Sequence, residues 1–151
     1  MKASTAPPSW TVPRSAELLR HDAATLGIPL ARVRRAADLV RATAHVHAPA
    51  ACGDRATDLI IDIDLSILGR DPLAFMDYEY SVEEEYAAVP TATYRTARGQ
   101  FLASLLAAPF IFRTPAFRAR YEERARTQLR SLLDGPRYRR YRRRRWWRCR
   151  G

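Results

Sequence analysis

The sequence has few cysteines and no long apolar run, and both absences restrict what the protein can be. Its two cysteines, Cys52 and Cys149, form no CxxC metal pair and are too few for a disulfide framework. The longest apolar stretches, 59–68 and 101–112, are interrupted by aspartates or by Pro109. Both fall short of the roughly 20 residues that a membrane span requires, and the first residues lack the apolar core of a secretory signal. We therefore expect a cytoplasmic protein with no membrane partner.

The commonest catalytic sequence motifs are missing as well. The chain contains no GxSxG nucleophile turn, no Walker-type or GxGxxG glycine loop and no HExxH zinc motif. His21-Asp22 has the letters of an HD dipeptide, but helical spacing places His21 on an outer face with Glu17 and Thr25, and no histidine precedes it. We interpret this dipeptide as incidental, so no local motif indicates an enzyme class.

Length and apolar spacing predict the fold class. A chain of 151 residues with 47% hydrophobic content is long enough for one domain with its own core. Apolar residues recur at helical spacing over 15–26, and the pattern resumes after Pro29. Asp71-Pro72 and Thr114-Pro115 are typical starts of two later helices, each a capping residue followed by proline. Because no alternating strand pattern occurs, the sequence predicts an all-α, single bundle-like domain of about six helices.

Composition sets the predicted boundaries of this domain. Residues 1–13 contain three prolines and no apolar period, so we predict an irregular lead-in there. Residues 14–134 form the predicted helical domain. Residues 135–151 contain nine arginines and no acid, which predicts a disordered tail. The rest of the chain, with 17 basic and 16 acidic residues, is almost neutral.

One acidic side chain in the predicted helix 56–69 is a candidate for chemistry. Helical spacing places Asp64 on a face with isoleucines and leucines, which predicts that its carboxylate points into the core. A carboxylate there needs a bound cation or a basic partner such as Arg98, and spacing alone does not distinguish the two. Asp62 lies on a different face of the same helix and is predicted to be solvated.

Two histidines lie near the end of the second predicted helix, which begins at Leu30 and ends before Pro49. His47 extends the apolar stripe of that helix and can reach the interior, whereas His45 falls on the polar side. A lone histidine is more often structural than metal-ligating. Spacing alone therefore does not make His47 a metal ligand.

Several segments, taken in order, resemble a known protein family. They are RSAELLRHDAATLGIP at 14–29, LVRATAHVHAP at 39–49, LIIDIDLSILGRDP at 59–72, EYAAVP at 85–90, ARGQFLASLLAAPFIFRTPAF at 97–117 and an E-x-x-A-R-x-x-L pattern at 122–129. Together they resemble the C-terminal portion of bacterial predicted metal-dependent phosphohydrolases of the HD superfamily, and the DIDLSILG segment is the most specific part.

This resemblance implies a divalent metal (Mn, Fe, Co, Ni or Zn) that activates water to attack a phosphate-ester small molecule. It makes Asp64 the last metal-ligating aspartate of the family and His47 the histidine near the site, with His45 and Asp62 as less favoured ligands. The first histidine and the His-Asp pair of the family have no counterpart before Arg14. The resemblance therefore implies a truncated or divergent HD-type hydrolase, or a pseudoenzyme, with impaired metal binding.

The arginine-rich tail indicates a different class of function. Residues 137–150 combine nine arginines with two tyrosines and two tryptophans, which can neutralise phosphates and stack on bases. The alternative prediction is a non-catalytic helical protein that binds nucleic acid or another polyanion through this segment. An unselected basic extension has the same composition. Neither a substrate nor an oligomeric state follows from the sequence.

Overall fold

The structure, a computed structural model, describes residues 11–43 and 54–138, and every regular element in these ranges is helical. The predicted all-α class is confirmed. No helix in the described ranges is long and apolar enough to cross a membrane. The helices are α1 (Thr11–Thr25), α2 (Leu30–Ala42), α3 (Arg55–Leu65), α4 (Pro72–Glu85), α5 (Thr91–Ala107) and α6 (Pro115–Asp134), with a 3-10 turn, Ser66–Gly69, continuing α3.

Two of the predicted helix starts have the expected cap geometry. Asp71 accepts a hydrogen bond from the backbone N–H of Ala74 at 3.0 Å, at the start of α4. Thr114 caps α6 in the same way, accepting from the backbone N–H of Phe117 at 3.5 Å. In both helices a proline follows the cap, where its missing N–H removes no helical hydrogen bond. These starts are set by neighbouring residues, which is why the sequence predicts them.

Other helix ends differ from the predicted ones. Helix α1 begins at Thr11 and includes Pro13, because a proline in the first turn of a helix interrupts no hydrogen bond. Helix α4 ends at Glu85, earlier than the predicted end near Val89, because turn hydrogen bonds replace the helical ones before Pro90. The predicted irregular lead-in was 1–13, and its residues 11–13 are helical instead; residues 1–10 lie outside the described residues.

The described chain divides into two compact units, one up to Asp64 and one from Leu65 onward. In the first unit, α1 and α2 pack against each other over small side chains that include Ala16, Ala23 and Ala37. The second unit contains the 3-10 turn, α4, α5 and α6. Its core consists mainly of large apolar side chains, among them Leu68, Phe75, Leu102, Leu105, Phe112, Leu129 and Leu133.

The second unit continues to Tyr138, beyond the predicted domain end at Asp134. A turn hydrogen bond from Tyr138 N–H to Gly135 O, 3.2 Å long, begins this short final segment. The ring of Tyr138 is only 1% exposed, and it packs so close to Gly99 that an added Cβ there would lie 3.1 Å from it. Because a buried aromatic ring removes a large apolar area from water, these residues belong to the packed unit.

Candidate functional site

The two aspartates of α3 are oriented the opposite way from the prediction. The side chain of Asp62 is completely buried, whereas that of Asp64 is exposed. The buried face of α3 passes through Ile61 and Leu65, and Asp62 lies beside it. The predicted inward orientation of Asp64 and the predicted solvation of Asp62 are therefore wrong.

The reason lies in the composition of α3. Apolar residues occur all around this helix, and two of them, Leu59 and Ile63, are exposed. The apolar pattern therefore cannot fix which face of the helix turns inward. Partial loss of hydration still raises the pKa of the Asp64 carboxyl. Its suggested basic partner, Arg98, pairs with a different acid.

The histidines of the predicted metal site, His45 and His47, lie outside the described residues. The structure therefore does not place either of them relative to Asp64. Over residues 11–43 and 54–138, no three His, Cys, Asp or Glu side chains come together in a group that could hold a metal ion. His21 is exposed on α1. The metal site implied by the family resemblance stays a prediction.

The buried acid of the second unit is Glu79 of α4, and Arg98 of α5 is its partner. Arg98 donates to the two carboxylate oxygens of Glu79 at 2.6 Å from Nη2 and at 3.4 Å from Nε. The hydroxyl of Tyr138 lies 3.5 Å from the same carboxylate. Burial disfavours the charged guanidinium, but the hydrogen bonds and charge of Glu79 outweigh burial and raise the pKa of Arg98.

A second ion cluster adjoins this pair. Glu83 of α4 accepts a hydrogen bond from Nε of Arg95 at 2.8 Å and another from Arg137. Burial opposes ionisation of this carboxyl, but the two arginines outweigh that effect and lower its pKa. Burial also raises the pKa of both Tyr94 and Tyr138. Each of these shifts moves the pKa of the group further from 7. At pH 7 the carboxyl therefore stays ionised and the tyrosines stay neutral, so the cluster is poorly suited to proton transfer.

Two charged side chains of α6 hold the connection between α5 and α6. Glu122 accepts hydrogen bonds from the backbone N–H groups of Ile111, at 2.9 Å, and Phe112, at 3.1 Å. Arg126 pairs with Glu122 at 2.7 Å and donates to the carbonyl oxygen of Ala108 at 2.8 Å. These groups satisfy backbone atoms in the connection and are not open to a ligand.

A cleft in the second unit gathers three further arginines. It has a volume of about 480 Å³ and is lined by Arg70, Asp71, Arg120, Tyr121 and Arg124. All three arginine side chains belong to exposed residues. Among the described residues, none of the three forms an ion pair with a carboxylate.

Sequence reasoning missed both the buried pair and the cleft. Spacing could have found the pair, because Glu79 lies one turn after the buried Phe75, and Arg98 lies one turn after Tyr94 and one turn before Leu102. These spacings place both charges on inward faces. The cleft has no such signal, because it depends on a tertiary contact between residues far apart in the chain.

Comparison of the chain with protein-family models, with curated proteins and with solved structures finds no match. The function must therefore be inferred from the residues and their geometry.

Proposed function

We propose that this chain is a non-catalytic helical protein that binds nucleic acid or another polyanion through the arginine-rich segment after Tyr138. The observation that carries this proposal is the separation of charge. Four arginines of the second unit, Arg95, Arg98, Arg126 and Arg137, are paired with acids. Residues 139–151 instead contain eight arginines and no acid.

The composition of this segment fits a phosphate backbone with exposed bases. Each arginine that neutralises a phosphate releases condensed counterions, which favours binding at low salt. Tyr141, Trp146 and Trp147 supply rings on which unpaired bases can stack. Such contacts are tolerant of sequence, so the proposal is for non-specific binding of single strands.

The packing of Arg137 and Tyr138 supports the proposal by fixing where the segment starts. Both residues are bound to the second unit through Glu79 and Glu83. The arginines that follow are therefore attached directly to a folded unit. A basic segment attached in this way can bind without contributing to the core.

The catalytic alternative, a truncated or divergent HD-type phosphohydrolase using Mn, Fe, Co, Ni or Zn on a phosphate ester, has less support. Its favoured aspartate, Asp64, is exposed, and among the described residues it belongs to no group of three or more His, Cys, Asp or Glu side chains that could hold a metal ion. Its favoured histidine, His47, lies outside those residues. We therefore prefer the binding function.

The binding proposal is tested by removing four arginines from the segment after Tyr138 in one variant and four arginines from elsewhere in the chain in another. One full-length variant replaces Arg142, Arg143, Arg144 and Arg145 by glutamine. The matched control replaces four exposed arginines of α1 and α2, namely Arg14, Arg20, Arg32 and Arg34. Both lower the formal net charge of +10 by the same amount. Affinity for a single-stranded RNA oligonucleotide is measured by fluorescence anisotropy over a range of salt concentrations.

We expect the tail variant to bind RNA much more weakly than the control variant. Losing four phosphate contacts should also reduce the slope of log affinity against log salt by about 3. Equal losses in the two variants would mean that only total charge matters, and the proposal would then be rejected. Unchanged binding by the tail variant would reject it as well.

A further inference from the structure

We infer that the cleft lined by Arg70, Arg120 and Arg124 is a binding site for a phosphate group. The three guanidiniums come from two places in the second unit. Arg70 follows the 3-10 turn, and the other two lie one turn apart on α6. None of the residues lining the cleft belongs to the arginine-rich segment, so the inference goes beyond the proposed function.

The backbone that carries Arg70 is held against α6 by two independent contacts. The first is the close approach of Gly69 to Tyr121, where an added Cβ would lie 2.6 Å from the Tyr121 Cβ. The second is the side chain of Gln128, which donates to the carbonyl oxygens of Leu68 at 2.7 Å and Arg70 at 3.2 Å. The backbone at Arg70 is therefore fixed beside α6 before any ligand binds.

The charge of the cleft is not balanced from within. Two arginines four residues apart on a helix repel each other, and a third guanidinium adds to that repulsion. The one acid of the cleft, Asp71, already accepts the capping hydrogen bond from Ala74, and this bond lowers the pKa of its carboxyl. Three positive groups and one carboxylate leave the cleft with a formal charge near +2.

Two other arginines of α6 show how this helix satisfies a guanidinium from within the unit. Arg118 donates to the carbonyl oxygens of Phe112 at 2.7 Å and Arg113 at 2.9 Å. Arg126 pairs with Glu122. The arginines of α6 that face the α5–α6 connection are therefore satisfied there, whereas Arg120, Arg124 and, outside the cleft, Arg130 have no carboxylate partner among the described residues.

The chemistry of the cleft matches a phosphate group. Guanidinium groups bind phosphate oxygens through two parallel hydrogen bonds, and several of them around one cleft neutralise a dianion. The Tyr121 ring lies 5.3 Å from the guanidinium carbon of Arg120, which restricts where that side chain can point. The phosphate can be free or part of a nucleic-acid backbone, and these sources are separated in the experiment.

The experiment uses the full-length protein and inorganic phosphate, with chloride added to equal ionic strength as the reference. Binding is measured by isothermal titration calorimetry and by NMR shifts of backbone amides. The test variant is Arg70→Gln with Arg124→Gln. The matched control is Arg20→Gln with Arg130→Gln, which removes two exposed arginines outside the cleft. Circular dichroism verifies that both variants keep their helices.

We expect phosphate to shift the amides of 69–72 and 120–124 in the unaltered protein. The affinity of the cleft variant should be at least about tenfold lower, because each lost guanidinium removes charge-assisted hydrogen bonds. The control should bind as the unaltered protein does. Absence of those shifts, or an equal loss in the control, would overturn the inference, and the shifts provide this test even if the cleft variant does not fold.

A second arm identifies the source of the phosphate. Single-stranded RNA is titrated into the chain in which Arg142–Arg145 are replaced by glutamine, with and without the cleft substitutions. A further loss of RNA affinity assigns the cleft to a nucleic-acid backbone, and an unchanged affinity assigns it to free phosphate. Both results retain the phosphate site. Failure of the proposed tail function leaves the phosphate titration unaffected.

Discussion

The Glu79 carboxylate and the Arg98 guanidinium are both largely removed from water, and each supplies the opposite charge that the other faces. Removal of one partner leaves a buried charge uncompensated. We expect Glu79→Gln, which keeps the shape of the side chain, to lower the free energy of unfolding by about 3–5 kcal/mol. Urea denaturation at pH 7 measures this change.

Two further variants serve as controls for this pair. Glu84→Gln, at an exposed position of the same helix, should change stability by less than about 0.5 kcal/mol. The double change Glu79→Leu with Arg98→Met removes both charges and should destabilise less than Glu79→Gln alone. A single variant as stable as the unaltered protein would contradict the assigned burial of the pair.

Asp64 provides a pH-dependent test of the predicted metal ligand. Because its pKa is raised in the folded protein, the ionised carboxylate opposes folding at pH 7. We expect Asp64→Asn to increase the free energy of unfolding at pH 7. The gain should shrink as the pH falls through the raised pKa and vanish below the ordinary aspartate pKa, where both states are protonated. Urea denaturation at several pH values measures it.

Asp77→Asn, at an exposed position of α4, serves as the control and should leave stability unchanged over this pH range. The opposite result at position 64 would have a clear meaning. If Asp64→Asn destabilised the protein and released Mn, Fe, Co, Ni or Zn, the carboxylate would be a metal ligand. The phosphohydrolase prediction would then gain direct support.

At the scale of helices and turns, the 3-10 turn contacts α6 at Gly69. Among the described glycines, Gly69 leaves the least room for a Cβ. Alanine at Gly69 would place its Cβ 2.6 Å from the Cβ and 2.8 Å from the carbonyl oxygen of Tyr121. Since backbone cannot move aside as a flexible side chain does, we expect Gly69→Ala to destabilise the protein by about 1–3 kcal/mol. Thermal unfolding followed by circular dichroism checks this value.

Ser131→Ala, at an exposed site on α6, is the matched small substitution and should have little effect. The two variants together also test the architecture of the arginine cleft. If Gly69→Ala were as stable as Ser131→Ala, the 3-10 turn could not be in contact with α6 as described. Arg70 would then have no fixed position beside the arginines of that helix.

At this scale, the sequence predicts the type of element well and its orientation poorly. The starts of α4 and α6 are determined by Asp71-Pro72 and Thr114-Pro115, residues adjacent in the chain, so local chemistry is sufficient. The orientation of α3 depends on which apolar side chains find partners in the folded protein. Because Leu59 and Ile63 are as apolar as Ile61, periodicity placed Asp64 inside and Asp62 outside, and both placements are wrong.

At the scale of the whole molecule, stability should depend on whether the chain includes the packed residues between Asp134 and Tyr138. A chain that stops after Asp134 lacks the buried ring of Tyr138 and the partner that Arg137 gives to Glu83. We expect it to be less stable than a chain that stops after Tyr138 by about 3 kcal/mol or more. Urea denaturation of both chains, beside the full-length protein, measures the difference.

The chain ending after Tyr138 should match the full-length protein, since it keeps the buried ring of Tyr138 and the ion pair of Arg137 with Glu83. Equal stability of the two shortened chains would show that the residues after Asp134 add nothing to the core. Composition could not reveal this boundary. Arg137 and Tyr138 resemble the residues after them in type, and composition does not reveal the tertiary contacts that these two residues make.

The position of Tyr138 also determines how the C-terminal end of the described chain can open. Its ring covers Gly99 and its hydroxyl lies against the Glu79 carboxylate, so fraying of this end would let water reach a charge that α4 and α5 share. We therefore expect local unfolding to extend beyond the last turn, because detachment of that turn weakens the ion pairs joining two helices. A force that pulls on the chain at Tyr138 would therefore act first on the contacts of Arg137 with Glu83 and of Tyr138 with Glu79.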